Sequence, residues 1–461
     1  MGPQTIGLHQ TQGIALGGMP EATARRETPM NGFPKHYLFF AGLLAALSLL
    51  AVACGGDDEE TDTGASPTAT EEAGGGGELQ TDFGVTDTQI VLGLTIVQSG
   101  NLAAVYQPVA PSMTAYFAKV NEEDGGVCDR DIVLKVEDDQ YSPAAGLEKA
   151  RKLAEQDEVA AFVGNLGTPP VTGQVDYINE QEIPHLFVST GAAKWGDVAT
   201  YPWTIGFIPD YISEGKILAT YVNDNFADQT AAILYQNDDF GKNGQQGFKD
   251  TFAGQVVAEE PYESSATDIN SQLANLRSAD PDIVYLYSTP AFTARVFAYM
   301  KANNWDPQVV QSYVNSPSTL AALVGGDAGA AAGFETIGGT ISTNYLLDPV
   351  ADKDSGPLVE HTRIMAQFGG PPVGNLSIYG QSLAELVVET LSIACDNGDM
   401  TRAGLLEAAE SVQGFSPSLV PEGIEINLGP EDHFAIQALI PTQIEATGVL
   451  TPLGDPISVE E

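Results

Sequence analysis

The stretch from Ser189 to Tyr211 holds the residues best suited to grip a small molecule. Ser189, Thr190, Gly191, Ala192 and Ala193 come first, then Lys194-Trp195-Gly196. Small residues let backbone N–H groups approach a ligand closely, and the two hydroxyls add donors and acceptors. An aromatic beside such a loop, here Trp195, can serve as a lid or platform, or pack as an ordinary core tryptophan. Gly164–Pro170 follows a strand-like run and precedes a helical one, so its N–H groups can meet an anion or simply form a β–α turn. Asp138-Asp139 and Asp238-Asp239 each sit at a strand end. There they could receive an ammonium group, or stand as solvated turn carboxylates.

Catalytic and metal patterns are missing. Beyond residue 54 the only histidines are His185, His361 and His433, with no HxxxH or CxxC spacing, so no metal site is expected. There is no G-x-S-x-G elbow, Walker loop or G-x-G-x-x-G fingerprint, and no catalytic residue is assigned. No cofactor is expected. His185 lies inside an apolar run, which suits a structural role.

Alternating strand-like and helix-like stretches must position these loops. Ile90–Val97 is a continuous apolar run, and Met113, Tyr116, Phe117 and Val120 then mark one face of a helix ending near Gly125-Gly126. Ile132–Val136, Ala160–Gly164 and His185–Val188 read as strands, with helices through Leu153 and Ile178 between them. A second series has strands at Ala231–Tyr235, Gln255–Glu259, Ile283–Tyr287 and Gln308–Gln311. Helices around 357–368, 376–394 and 401–411 follow, and short strands close the chain. Such βαβ series predict parallel sheets covered on both faces, in two similar halves hinged across a cleft.

The ends carry other signals. Lys35-His36 precede an apolar run, Tyr37–Ala53, that closes on small residues before Cys54. This reads as a signal peptide over 1–53, with Met30 as the suspected start; a spanning anchor or a plain secretory signal are the other readings. Cys54 at that boundary resembles a bacterial lipobox cysteine, which would carry lipid, although Ala51 stands where leucine is preferred. The Thr-, Gly-, Ser- and Glu-rich tract 54–85 has no hydrophobic period and reads as a flexible tether. Cys128 and Cys395 remain; in an exported, disulfide-permissive compartment they can pair, or stand as separate thiols. A formal net charge of −43 argues against nucleic-acid or anionic-lipid binding through a basic surface.

Taken in order, several segments resemble the extracytoplasmic substrate-binding proteins of ABC importers, in the branched-chain amino acid (Leu/Ile/Val-binding) family. They are TIVQSGNLAAVY, GGVCDRDIVLKVEDDQYSPAAGLEKARKLAEQDEVAAFVGNLGTPP, STGAAKWGDVATYPWTIGFIPDY, AILYQNDDFGKNG and DIVYLYSTPAFTARVFAYM. The resemblance covers about residues 86–452. It implies an α/β, type I periplasmic-binding-protein fold: two Rossmann-like lobes joined by three crossovers around a ligand cleft. The first lobe would be 86–207 plus 341–432, the second 208–340 plus 433–453, with 454–461 as a tail.

The same resemblance places ligand contacts at Thr168, Gly191 and Ala193, where a carboxylate would be held by hydroxyl and N–H groups. Ala193 replaces a hydroxyl residue, for which Thr190 can substitute. Aromatic cleft positions match Tyr106, Phe240 and Tyr379, with Phe240 where the amino-acid binders carry tyrosine. Asp210-Tyr211 would open the second lobe. The acidic residue that pairs with a bound amino group has no counterpart in Gln311–Asn315. Either Asp210 supplies that charge, or the ligand is an amide, an organic acid or an aromatic acid rather than an α-amino acid.

The implied protein is a monomeric, non-enzymatic lipoprotein on the outer face of a bacterial cytoplasmic membrane. It would deliver a small solute to separate permease and ATPase chains. A sensing module for a separate receptor and a secreted hydrolase are the alternatives.

Overall fold

The run Ile90–Ile96, mostly apolar and without alternation, has no face to offer water, and it lies inside a sheet. The computed structural model describes residues 79–458 apart from 101 and 227. The first sheet contains β1 (Gln89–Ile96), β2 (Asp131–Asp138), β3 (Ala161–Val163), β4 (His185–Val188) and β5 (Thr204–Gly206). All are parallel, in the order β2-β1-β3-β4-β5. Ile90, Leu92, Leu94 and Ile96 are buried because helices cover both faces.

The second sheet holds β6 (Thr230–Gln236), β7 (Gln255–Tyr262), β8 (Ile283–Tyr287), β9 (Gln308–Gln311) and β10 (Ile341–Asn344). These pair in parallel, in the order β10-β9-β8-β6-β7. Antiparallel β11 (Ala438–Ile444), β12 (Leu450–Pro452) and β13 (Ile457–Ser458) complete it beyond β10. All five residues of β8 are buried, so its tyrosine hydroxyls need partners. Tyr285 donates to Gly244 O at 3.1 Å and Tyr287 to the Glu214 carboxylate at 2.5 Å.

Caps set the helix starts. Asp210 accepts from Ile212 N and Ser213 N at the head of Tyr211–Asn225, and Asp238 accepts from Gly241 N at the head of Asp239–Thr251. Pro143, Pro290 and Pro317 each occupy a first helical position, where the missing N–H loses nothing.

The chain passes between the sheets three times: after β5, after β10, and where Phe434, bridged to Gly206, leads into β11. Between the last two passages, Asn375–Asn397 packs against Val109–Lys119 on the first half.

Several expected boundaries shift. Residues 341–344 belong to the second sheet, so the return to the first half comes after Asn344. The segment 80–85, expected to belong to a tether, is part of the folded body: Gln80–Thr81 pairs with Asp399–Met400, Val85 is buried and Arg402 covers the Phe83 ring at 4.4 Å. The tail includes Ile457–Ser458, which pairs with Ala438–Leu439. Two helices not read from the sequence, Pro317–Gly325 and Ala330–Ile337, precede β10. The expected signal peptide, residues 1–53, and Cys54 lie outside the described residues. Cys128 and Cys395 form a disulfide with a Cα–Cα distance of 5.9 Å, tying the start of β2 to the end of the long helix.

Candidate functional site

Loops at the carboxyl ends of the parallel strands face one another across the two halves, the usual place for a ligand crevice in such sheets. From the first half come Tyr106, Tyr141, Leu166 to Thr168, Ser189, and Asn375, Leu376 and Tyr379 of the long helix. The second half supplies Tyr211, Phe240, Tyr313, Ser316, Ser342 to Asn344 and Thr442, and Tyr345 and Leu346 follow on the passage back to the first half. They enclose a cavity of about 90 Å³; a single water needs roughly 10–15 Å³. Gly167 makes one wall possible. At φ +98° it adopts a conformation open to glycine, and a Cβ there would lie 2.5 Å from the Tyr141 ring.

The aromatic rings brace one another. Tyr106 and Tyr141 are parallel, with centroids 6.5 Å apart. Tyr211 meets Phe240 edge-on at 5.0 Å, and Tyr313 meets Tyr345 at 5.3 Å. Burial raises the Tyr106, Tyr141, Tyr313 and Tyr345 phenols far above the usual range, so they stay neutral. Tyr379 donates to Ser189 Oγ at 2.5 Å, and Tyr313 to Pro209 O at 2.5 Å.

Of the residues singled out in the sequence, Tyr106, Thr168, Tyr211, Phe240 and Tyr379 line this cavity. Thr190, Gly191, Ala193, Trp195 and Asp210 do not. Thr190 stands behind Thr168, their hydroxyls 2.6 Å apart. Gly191 packs against the second half, its carbonyl accepting Tyr211 N–H at 2.8 Å. The Ala193 N–H, expected to hold a carboxylate, donates to Asn243 Oδ1 at 3.0 Å.

Trp195 is fully buried and does not line this cavity. The short turn Ala193–Gly196 points its ring inward onto Val171, Val175, Val188 and Ala192, and Nε1 reaches Thr190 Oγ1 at 3.4 Å. Asp210 spends its carboxylate on its helix cap. Lys194 spans the halves instead, pairing with Asp239 at 2.8 Å.

The carboxylate pairs read in the sequence also have local duties. Asp138 accepts from Gln98 N, Gln140 N and Ser99 Oγ, and its contacts hold it below the usual range. Burial pushes Asp139 up to about 7.

Sequence reasoning missed Tyr141, Tyr313, Tyr345, Thr442 and Glu214. Tyr141 follows Asp138-Asp139 at a strand end, a position that could have been weighed with them. Tyr313 lies inside the segment inspected only for an acid. Glu214 carried no motif. It is wholly buried beneath the second-half wall, and accepts from Tyr287, from Ser312 Oγ at 2.8 Å, from Tyr313 N at 2.6 Å and from Thr343 Oγ1 at 2.7 Å. Burial outweighs these donors and pushes its carboxyl up to about 7.

The three histidines are structural. His361 lies between Gln381 and Ser377, and His433 between Thr204 O and Glu410. Burial pushes His185 down to about 3. Among the described residues no cluster of His, Cys, Asp or Glu could hold a metal.

Comparison with known proteins agrees with this architecture. A branched-chain amino acid ABC transporter structure from Thermus thermophilus, with bound valine, aligns with a TM-score of 0.71 at 17% identity, covering 81% of this chain and 97% of that one. A fatty acid ABC transporter substrate-binding protein from Thermomonospora curvata aligns at 0.70 and 21%, covering 82% and 95%. At these identities the likeness concerns the fold: type I periplasmic binding, two Rossmann-like lobes joined by three crossovers. A Leu/Ile/Val-binding protein from Rhizobium johnstonii is 26% identical over 281 residues, 55% of this chain and 67% of that protein. The family model for periplasmic binding proteins matches residues 89–448, both halves and all three passages between them. By that match the chain belongs to the periplasmic binding protein family.

Proposed function

We propose that this protein captures a small solute in the cleft between its two lobes and delivers it to an ABC importer. One observation carries the reading: a single cavity is walled by loops from both sheets, so a molecule inside it would touch both lobes at once. A ligand that contacts both halves stabilises their closed arrangement over an open one. The lobes are taken as 86–207 with 345–432, and 208–344 with 433–458. Bending falls in the passages around Phe207–Asp210, after Asn344 and after Phe434.

In this reading Cys54 carries lipid and holds the body at the outer face of a membrane, with permease and ATPase on separate chains. The protein acts as a binder rather than an enzyme. A thermal-shift screen of the purified protein against amino acids, amides, organic acids, alcohols and sugars tests the capture step. A ligand present at about 100 times its Kd stabilises the folded state by about 2.7 kcal/mol, a visible rise in Tm. No rise with any class would overturn capture. Recovery of the chain in the detergent phase, lost in Cys54→Ser, tests the tether.

A further inference from the structure

The cavity gives no purchase to a charged head group. Among the described residues that line it there is no Asp, Glu, Lys, Arg or His. Six tyrosines and Phe240 dominate, with serine, threonine and asparagine between them.

The charged groups that could answer an α-amino acid are engaged elsewhere or stand outside the lining; Asp139 does not line the cavity, and its Oδ1 accepts the Tyr141 N–H at 2.8 Å. Asp210 caps its helix, and Glu214 is held by four donors of the second half. Asp238 accepts from Gln236 Nε2 at 2.6 Å and from Gly241 N. The carboxylate side fares no better. The Ala193 N–H is taken by Asn243, and Gly167 N donates to Ser189 O at 3.3 Å. Pro169 and Pro170 remove two further N–H donors from the first turn of Thr168–Glu180. Lys194 is paired with Asp239. A zwitterion enclosed here would lose its hydration without a charged partner for either end, which is strongly unfavourable.

Uncharged hydrogen-bonding groups, by contrast, stand free. Thr442 is among the lining residues, and its buried Oγ1 has no hydrogen-bond partner among the described residues. The Tyr106 and Tyr345 hydroxyls also line it, and neither makes a hydrogen bond to a described residue.

We infer that the cleft selects an uncharged small molecule, with an apolar body of about the bulk of one ring and at least one hydroxyl or carbonyl group, in preference to an α-amino acid. This rests on the capture reading and names its ligand class. Selection comes from apolar contact with the rings, hydrogen bonds to neutral hydroxyls, and a desolvation penalty against ions.

The test is a head-group series on one scaffold, measured by calorimetry on the whole folded protein. The probes are 3-phenylpropan-1-ol, 3-phenylpropanoate, 3-phenylpropylamine and L-phenylalanine. The alcohol is expected to bind at least tenfold more tightly than any of the three charged probes. Tighter binding of a charged probe, or no binding of the alcohol, overturns the inference. Capture itself falls only if the wider screen of solutes is also empty, so the two failures are distinct. Tyr106→Phe and Tyr345→Phe keep the rings. At least one should weaken the alcohol several-fold with an unchanged Tm in the absence of ligand; equal affinity in both variants overturns the hydrogen-bonding half of the inference.

Discussion

Asn243 Oδ1 accepts the backbone N–H of Ala193 at 3.0 Å, joining the helix Asp239–Thr251 of the second half to the turn after β4 of the first. A group that the sequence offered to ligand therefore joins the two lobes. Beside it lies the Lys194–Asp239 pair, and across the cavity Ser318 N donates to Asn375 Oδ1 at 3.1 Å. The first prediction concerns this bridge. Asn243→Ala removes one cross-lobe hydrogen bond, an interaction of about 1 kcal/mol. The variant should populate a more open form, seen as a larger radius of gyration in solution scattering. An unchanged radius would mean the bridge does not bias closure.

Trp195 packs away from the cavity, and its substitution should separate stability from binding. Trp195→Ala leaves a hole among Val171, Val175, Val188 and Ala192. Loss of so large a buried ring costs about 3–5 kcal/mol of unfolding free energy. Denaturant titration should show that loss, while any ligand found in the screen keeps its affinity to the folded variant. Weaker binding in a folded variant would bring the ring back to the site.

Glu214 supports the Tyr313 segment and β10 at once. Glu214→Gln keeps the shape, but turns an NH2 group toward hydroxyl and N–H donors and leaves at least one of them unsatisfied. A penalty of about 1–3 kcal/mol in unfolding free energy is expected. A variant as stable as the parent would show that these donors re-pair freely.

His185 sets an acid limit. Burial holds its pKa near 3 in the folded protein, against about 6.5 unfolded. Below pH 6.5 the unfolded chain binds a proton that the folded one refuses. The stabilising contribution is therefore full above pH 6.5 and is lost as pH falls toward 3. At pH 5 the loss amounts to about 2 kcal/mol. Denaturant unfolding at pH 7.5, 6 and 5 should show a shallower acid decline in His185→Phe than in the parent.

The Cys128–Cys395 disulfide closes a separation of 267 residues. Long loops gain most from cross-linking in the chain-entropy view, and removing such a bond costs about 2–5 kcal/mol. Cys128→Ser with Cys395→Ser should lower the unfolding free energy by that amount and leave the fold recognisable by circular dichroism.

Local pattern determined much of this protein by itself. Unbroken apolar runs such as Ile90–Ile96 and Ile283–Tyr287 are compatible only with covered strands, and the stripe Leu376, Tyr379, Leu383, Leu386 only with a packed helix, so the order of elements was legible. Thr168, Tyr211 and Phe240, which line the cavity, were marked by the family resemblance and not by local pattern. The direction of a side chain within a turn was not legible. Trp195 and Ala193 sit in the expected loop, yet a few backbone angles turn the indole into the core and give the amide to Asn243, 50 residues away. The partners of a carboxylate were equally hidden. Glu214 meets Ser312 and Thr343, 98 and 129 residues distant, only because β9 and β10 lie side by side. Whether the cleft carries charge depends on such long-range pairings, and so it was decided by the tertiary structure alone.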